Sequence, residues 1–121
     1  MITLLLPIKT VSEANQSRCE HWGAKTRRKN SQKSMVKIGL YNFRKQIKGY
    51  EEYTVTPTRI APSPQGQTLD GDNLQRSMKA VRDQVAEEIG LDDGSQRITW
   101  RYAQEKGKPK EYAVRIEIEE G

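Results

Sequence analysis

Over residues 73–89 the apolar side chains fall at Leu74, Met78, Val81, Val85 and Ile89, three or four positions apart, and Gly90 follows. That spacing lines one stripe of a helix, and a glycine just past the last apolar residue is a natural stop. A stripe of this kind has to be buried, and the flanking segments supply strands to bury it. Residues 2–6 are a continuous apolar run ended by Pro7. Residues 50–61 are rich in β-formers (Tyr53, Val55, Ile60), with Pro57 suggesting an edge or a bulge. In two later segments Ile98, Trp100 and Tyr102 alternate with polar residues, as do Tyr112, Val114, Ile116 and Ile118. These read as a C-terminal antiparallel hairpin joined across residues 105–110. A basic helical region between the first two strands, broken near Asn30, places Met35, Ile38 and Phe43 near helical spacing. The predicted order is β-α-β-α-β-β. It fits a single α/β domain on the α+β border, with a mixed sheet.

Only 34% of the 121 residues are hydrophobic. Such a domain buries one modest core, and part of its apolar surface is expected to close against a second copy. No apolar run approaches the length of a transmembrane helix, and the opening residues lack the basic start of a signal peptide. The single cysteine, Cys19, permits no internal disulfide and no thiolate zinc cage. A cytoplasmic protein is the expectation.

The net charge of +5 is unevenly spread. Residues 18–48 hold ten Lys or Arg against one acid, Glu20, while residues 49–121 carry an excess of acid. Within the basic segment Lys25, Arg27, Arg28, Lys29, Lys33 and Lys37 form a run that binds phosphates if it is more than a solvated helix face. Lys106, Lys108 and Lys110 add a second basic cluster near the C-terminus.

The acidic residues are grouped as Asp70-Gly71-Asp72-Asn73 and Asp92-Asp93. In an extended segment Asp70 and Asp72 point the same way, and a hard divalent cation relieves their repulsion. Such an ion activates water and neutralises charge building on a phosphodiester. Each group also has the composition of an ordinary turn or helix cap. Asp72, Arg76, Lys79 and Asp83 share one stripe roughly opposite the apolar one, equally readable as a phosphate contact or as a surface salt-bridge ladder. The lone His21 offers no histidine-based nuclease motif or triad, and Cys19 has no partner to activate it. Trp22 and Trp100 suit packing better than base stacking. The glycines Gly66 and Gly71 are followed by Asp72-Asn73, where a phosphate-cradling loop requires Lys-Ser/Thr.

Across residues 68–104 the chain resembles the RusA family of Holliday-junction resolvases, found in bacteria and their prophages. The resemblance rests on Asp70-Gly71-Asp72-Asn73-Leu74-Gln75-Arg76, on Lys79-Ala80-Val81-Arg82-Asp83, and on Asp92-Asp93 followed by Gln96. Leu6-Pro7, Asn15 and the basic helix match more loosely. The resemblance implies a homodimeric, magnesium-dependent endonuclease, with manganese able to substitute, acting in DNA recombination and repair. Such an enzyme recognises four-way DNA junctions by shape and nicks two strands symmetrically. Asp70, Asp72 and Asp93 would then be metal ligands, with Asp92 beside them. The family's essential lysine lies one turn after the second aspartate. Arg76 holds that spacing here, whereas Lys79 has the matching Lys-Ala-x-x-Asp context. A further residue lies between Asp93 and Gln96. The competing class is a non-catalytic DNA-binding or architectural protein whose acidic site is vestigial, and a third is RNA binding. A helix over residues 73–89 is about 25 Å long. Asp93 would then lie far from Asp70 and Asp72 unless the chain folds back. Antiparallel pairing of this helix with a second copy, through the Leu74–Val85 spacing, would otherwise assemble a shared site.

Overall fold

The strand with the most to bury takes a central place in the sheet. A computed structural model describes residues 1–8, 22–62 and 71–121, without the side chains of residues 22, 24, 25 and 71–73. The elements run β1 (Ile2–Leu6), α1 (Trp22–Leu40), a single 3₁₀ turn, α2 (Arg44–Lys48), β2 (Tyr53–Pro62), α3 (Gly71–Ser77), α4 (Lys79–Ile89), β3 (Ile98–Trp100), β4 (Ala103–Gly107) and β5 (Ala113–Glu120). The result is a small α+β domain with a mixed five-stranded sheet. Val114, Ile116 and Ile118 of β5 are fully buried, and β5 is paired antiparallel on both sides, to β1 and to β2.

The expected C-terminal hairpin does not form. β3 and β4 pair parallel with the far side of β2, so β2 separates them from β5. Alternation fixes which face a strand presents but not its neighbour. The polar Gln104, Glu105 and Lys106 suit an edge, whereas β5 gains burial from two flanking strands. Residues 105–107 accordingly extend β4 rather than forming a connection.

Pro57 likewise sits in a central strand, not at an edge. The β2 ladder runs from the Tyr53 N–H to the Arg97 carbonyl at 2.8 Å, and from the Arg101 N–H to the Val55 carbonyl at 2.9 Å. The next donor in this pattern belongs to position 57, and proline has none. The partner strand is therefore interrupted at residues 101–102, and the register resumes unshifted at Thr58 with Ala103.

The apolar stripe is consumed within the chain. Leu74, Met78, Val81, Val85 and Ile89 join Ile2, Leu6, Val55, Val114, Ile116 and Ile118 in one core. The stripe therefore provides no seam for pairing with a second copy. On the basic helix, continuous through Asn30, the buried residues are Gln32, Val36 and Leu40, while Ile38 is 75% exposed. Met35 and Phe43 pack against the core as read from the sequence, partly buried, and of the three only Ile38 faces outward. A Cβ at Gly39 would lie 2.6 Å from a Leu4 methyl, so glycine lets α1 approach β1 this closely. Tyr53 ties α2 to the sheet through its phenol, which donates to the Ile47 carbonyl at 2.6 Å. Burial pushes that phenol's pKa up. On the sheet's other face Arg115 bonds both Glu105 of β4 and Glu117 of its own strand. Thr58, directly opposite Arg115, is almost wholly covered.

No helix among the described residues is long and apolar enough to cross a membrane. Met78 is fully buried at the junction of α3 and α4. Its truncation in Met78→Ala should cost about 2–5 kcal/mol. Urea unfolding should report this as a lower midpoint with an unchanged slope.

Candidate functional site

The rod expected over residues 73–89 is two helices, and its break has a local cause. The Ser77 hydroxyl donates to the Leu74 carbonyl at 2.7 Å, and the Met78 N–H reaches the Gln75 carbonyl at 3.2 Å, tightening the turn. Met78 leaves helical geometry (φ −111°, ψ 12°), and α4 starts afresh. The apolar side stays on the core through the break. Gln75, Arg76 and Lys79 are exposed on the other side.

At the far end Gly90 adopts a left-handed conformation (φ 89°). Its N–H reaches the Glu87 carbonyl, and the Leu91 N–H reaches the Ala86 carbonyl at 3.2 Å. This pair of bonds caps the helix and reverses the chain. The returning segment is pinned at several points. The Ser95 N–H donates to the Asp92 carbonyl at 2.9 Å. The Arg97 guanidinium donates to the Glu51 carbonyl at 2.7 Å. The Trp100 indole N–H donates to the Asp93 carbonyl at 2.9 Å.

The reversal brings Asp93 beside Arg82. The Arg82 Nη2 also donates to the Asp93 carbonyl at 3.0 Å, and its Nη1 donates to the Tyr102 hydroxyl at 3.0 Å. The guanidinium carbon lies 4.8 Å from the centre of the Trp100 ring, a cation–π contact. Arg82 Nε is 3.2 Å from Asp93 Oδ2, an ion pair. It is not aligned as a hydrogen bond, and among the described residues that N–H has no hydrogen-bond partner. The Asp93 main chain is thus held by two donors, while its carboxylate is ion-paired with Arg82.

Asp93 and Tyr102 then close a cavity of about 200 Å³ with Gln75, Arg76, Lys79 and Arg82. Three cations and one carboxylate line it. A second cavity, of about 240 Å³, lies between α1 and α4 and is lined by Thr26, Lys29, Asn30, Lys33, Lys79, Ala80 and Asp83. Lys79 borders both cavities, with its Nζ 3.6 Å from Asp83 Oδ1. The Lys79–Asp83 salt bridge read from the helical spacing is therefore formed.

Of the residues expected from the sequence, Asp93, Arg76 and Lys79 share one cavity, while Lys29 and Lys33 join Lys79 in the other. Asp92 is exposed in the turn and lines neither. Arg27, Arg28 and Lys37 lie on α1 and Lys106, Lys108 and Lys110 on or just after β4, none of them lining these cavities. Asp70, Cys19 and His21 lie outside the described residues, as do the side chains of Asp72, Lys25 and Trp22. Among the described residues no group of three His, Cys, Asp or Glu could hold a metal ion. The chain folds back far enough for Asp93 to line a cavity with Gln75 and Arg76 of α3, while the Asp70 and Asp72 side chains, on which the expectation of a shared site turns, lie outside the described ones. Arg82 and Tyr102 stand outside the residues expected from the sequence. Arg82 does follow Gln75 and Lys79 at helical spacing and lies in the Lys79–Asp83 motif, whereas Tyr102 is marked only by strand alternation.

No family model matches the chain, and no curated protein matches it either.

The Arg82–Asp93 ion pair is partly solvated. Asp93→Asn should therefore cost under about 1 kcal/mol of stability in urea unfolding. Trp100→Ala, which removes ring packing and a carbonyl donor, should cost about 3 kcal/mol or more.

Proposed function

We propose that the chain is a magnesium-dependent, structure-selective DNA endonuclease that nicks four-way junctions, acting as a homodimer. The observation that carries this reading is the cavity in which the Asp93 carboxylate meets Arg76, Lys79 and Arg82. A hard anionic oxygen among cations matches a phosphodiester that is to be held, neutralised and cut. Asp93 is ion-paired with Arg82 Nε at 3.2 Å, and as a hard-oxygen ligand it would exchange that contact for the cation. Asp93 would hold magnesium together with Asp70 and Asp72, Asp72 lying one turn before Arg76. When bound, magnesium supplies a Lewis acid for phosphoryl oxygens and lowers the pKa of water.

The chain's own side chains do the remaining work. Arg76 and Lys79 are exposed and long enough to follow a phosphate whose charge rises during cleavage. Arginine at position 76 offers a planar fork to two phosphate oxygens, whereas Lys79 offers a point charge. Lys29 and Lys33 stand across the second cavity, where they would hold an adjoining phosphate of the same backbone. Contacts of this kind position a nucleic acid without reading its bases, as recognition by shape requires. The resemblance to the RusA family in Asp70-Gly71-Asp72-Asn73 and Asp92-Asp93 supports the same assignment.

The test is cleavage of a synthetic four-way junction in magnesium, with linear duplex as control. Paired nicks are expected on the junction alone. They should be lost at least about 100-fold in Asp93→Asn, while junction binding in EDTA is retained. A protein that binds the junction but nicks nothing in magnesium or manganese is an architectural DNA-binding protein instead. Displacement of the junction by structured RNA at equal concentration would redirect the reading to RNA. Replacing Lys29 and Lys33 together with alanine should lower the slope of log affinity against log salt by about 2, near 0.9 for each phosphate no longer neutralised.

A further inference from the structure

The C-terminal end of α1 sets an aromatic ring in solvent within a basic surface. Between Glu20 and Glu51 the chain has no carboxylate side chain. Lys29, Lys33, Lys37 and Tyr41 are each four residues apart, so they follow one ridge of α1 into the 3₁₀ turn Tyr41–Phe43. Lys29 and Lys33 line the cavity between α1 and α4, and Lys37 is exposed beyond it. From Lys29 to Tyr41 the ridge spans about 18 Å, in steps of about 6 Å.

The ring points outward because its neighbours do not. Leu40 and Ile47 are fully buried, and Phe43 packs against the same core. Side chains three residues apart eclipse in a 3₁₀ turn, so Leu40 and Phe43 share the inward side and Tyr41 and Arg44 share another. The Arg44 guanidinium carbon lies 3.9 Å from the centre of the Tyr41 ring, a cation–π contact that covers one face of the ring. Tyr41 is nevertheless 58% exposed, and the exposed Ile38 precedes it by one turn.

Charge decides which partner fits this spot. A second copy seated there about a two-fold axis would set the exposed Lys37, Arg44 and Lys45 against the same residues of its mate, like against like. A nucleic acid instead brings phosphates to those cations and the flat face of a base to the ring. We propose that Tyr41, backed by Arg44, is a stacking platform for an exposed base of a DNA strand whose phosphates follow Lys33 and Lys37. This inference rests on the DNA-binding part of the reading above and calls on no metal. Along a continuous duplex each base is covered by its neighbours, and the ring finds no face to meet. At a branch point the stacking of one arm on the next is interrupted, so a base face is available. Tyr41 thereby supplies a preference for branched or single-stranded DNA that phosphate contacts alone do not give.

The experiment measures binding in EDTA of two probes of equal length and charge, a short oligodeoxythymidylate and the same deoxyribose–phosphate chain without bases. Wild type should bind the thymidylate about 10-fold more tightly than the abasic chain. Tyr41→Ala should lose that preference and bind both probes as wild type binds the abasic one, with its salt dependence unchanged. Tyr41→Trp should keep the preference. Lys37→Ala should weaken both probes alike and lower the slope of log affinity against log salt by about 0.7, the value for one phosphate of a single strand. All three variants should remain folded by circular dichroism, since both side chains are exposed. A preference for the thymidylate that survives Tyr41→Ala would overturn the platform and leave the endonuclease reading standing. Equal affinity of wild type for the two probes would do the same. Loss of self-association in Tyr41→Ala by analytical ultracentrifugation, with probe binding unchanged, would overturn it by making the patch a subunit interface. Wild-type protein that binds neither probe nor the four-way junction would overturn the DNA reading itself, and the platform would fall with it.

Discussion

Burial of Leu74, Met78, Val81, Val85 and Ile89 on one side of the sheet decides which residues of α3 and α4 reach solvent. Among the described side chains, the candidates on these two helices lie on the side this packing leaves over. Gln75, Arg76 and Lys79 are exposed because their neighbours at helical spacing are not, and Arg82 is half-covered because the returning chain lies against it. The placing of these cations is thus a by-product of core packing.

The second requirement is the reversal after α4. A left-handed glycine turns the chain, Arg97 fastens the following segment to the residues before β2, and Trp100 and Arg82 secure Asp93. An acid 11 positions beyond Arg82 in sequence becomes its direct neighbour. Opposite charges are placed together here by hydrogen bonds to main-chain carbonyls rather than by their mutual attraction, which is weak at this degree of exposure.

Much of this is legible in residue patterns. The helical stripe, the glycine stop, the first strand and the mixed sheet all follow from local chemistry, and the structure contains them. What stays hidden depends on partners distant in sequence. Alternation in β5 announces a half-buried strand, yet only competition for burial puts it between β1 and β2. The break at Met78 depends on a hydroxyl choosing the Leu74 carbonyl, which apolar spacing does not reveal. Arg82 looks like one more charge on a helix surface until the turn returns to it. Asp93, Arg76 and Lys79 stand out only through the family resemblance, since their spacing alone reads equally as a turn and a surface salt-bridge ladder.

The missing donor at Pro57 has a consequence for motion. It divides the strand beside β2 into two leaves, and the shorter, β3, is joined to β2 over only Tyr53, Thr54 and Val55. A leaf so short opens locally at less cost than the domain unfolds. Trp100 rides on that leaf, so a flicker of β3 would briefly release the turn that carries Asp93. The proline thereby links the breathing of a sheet edge to the position of Asp93 at the cavity rim.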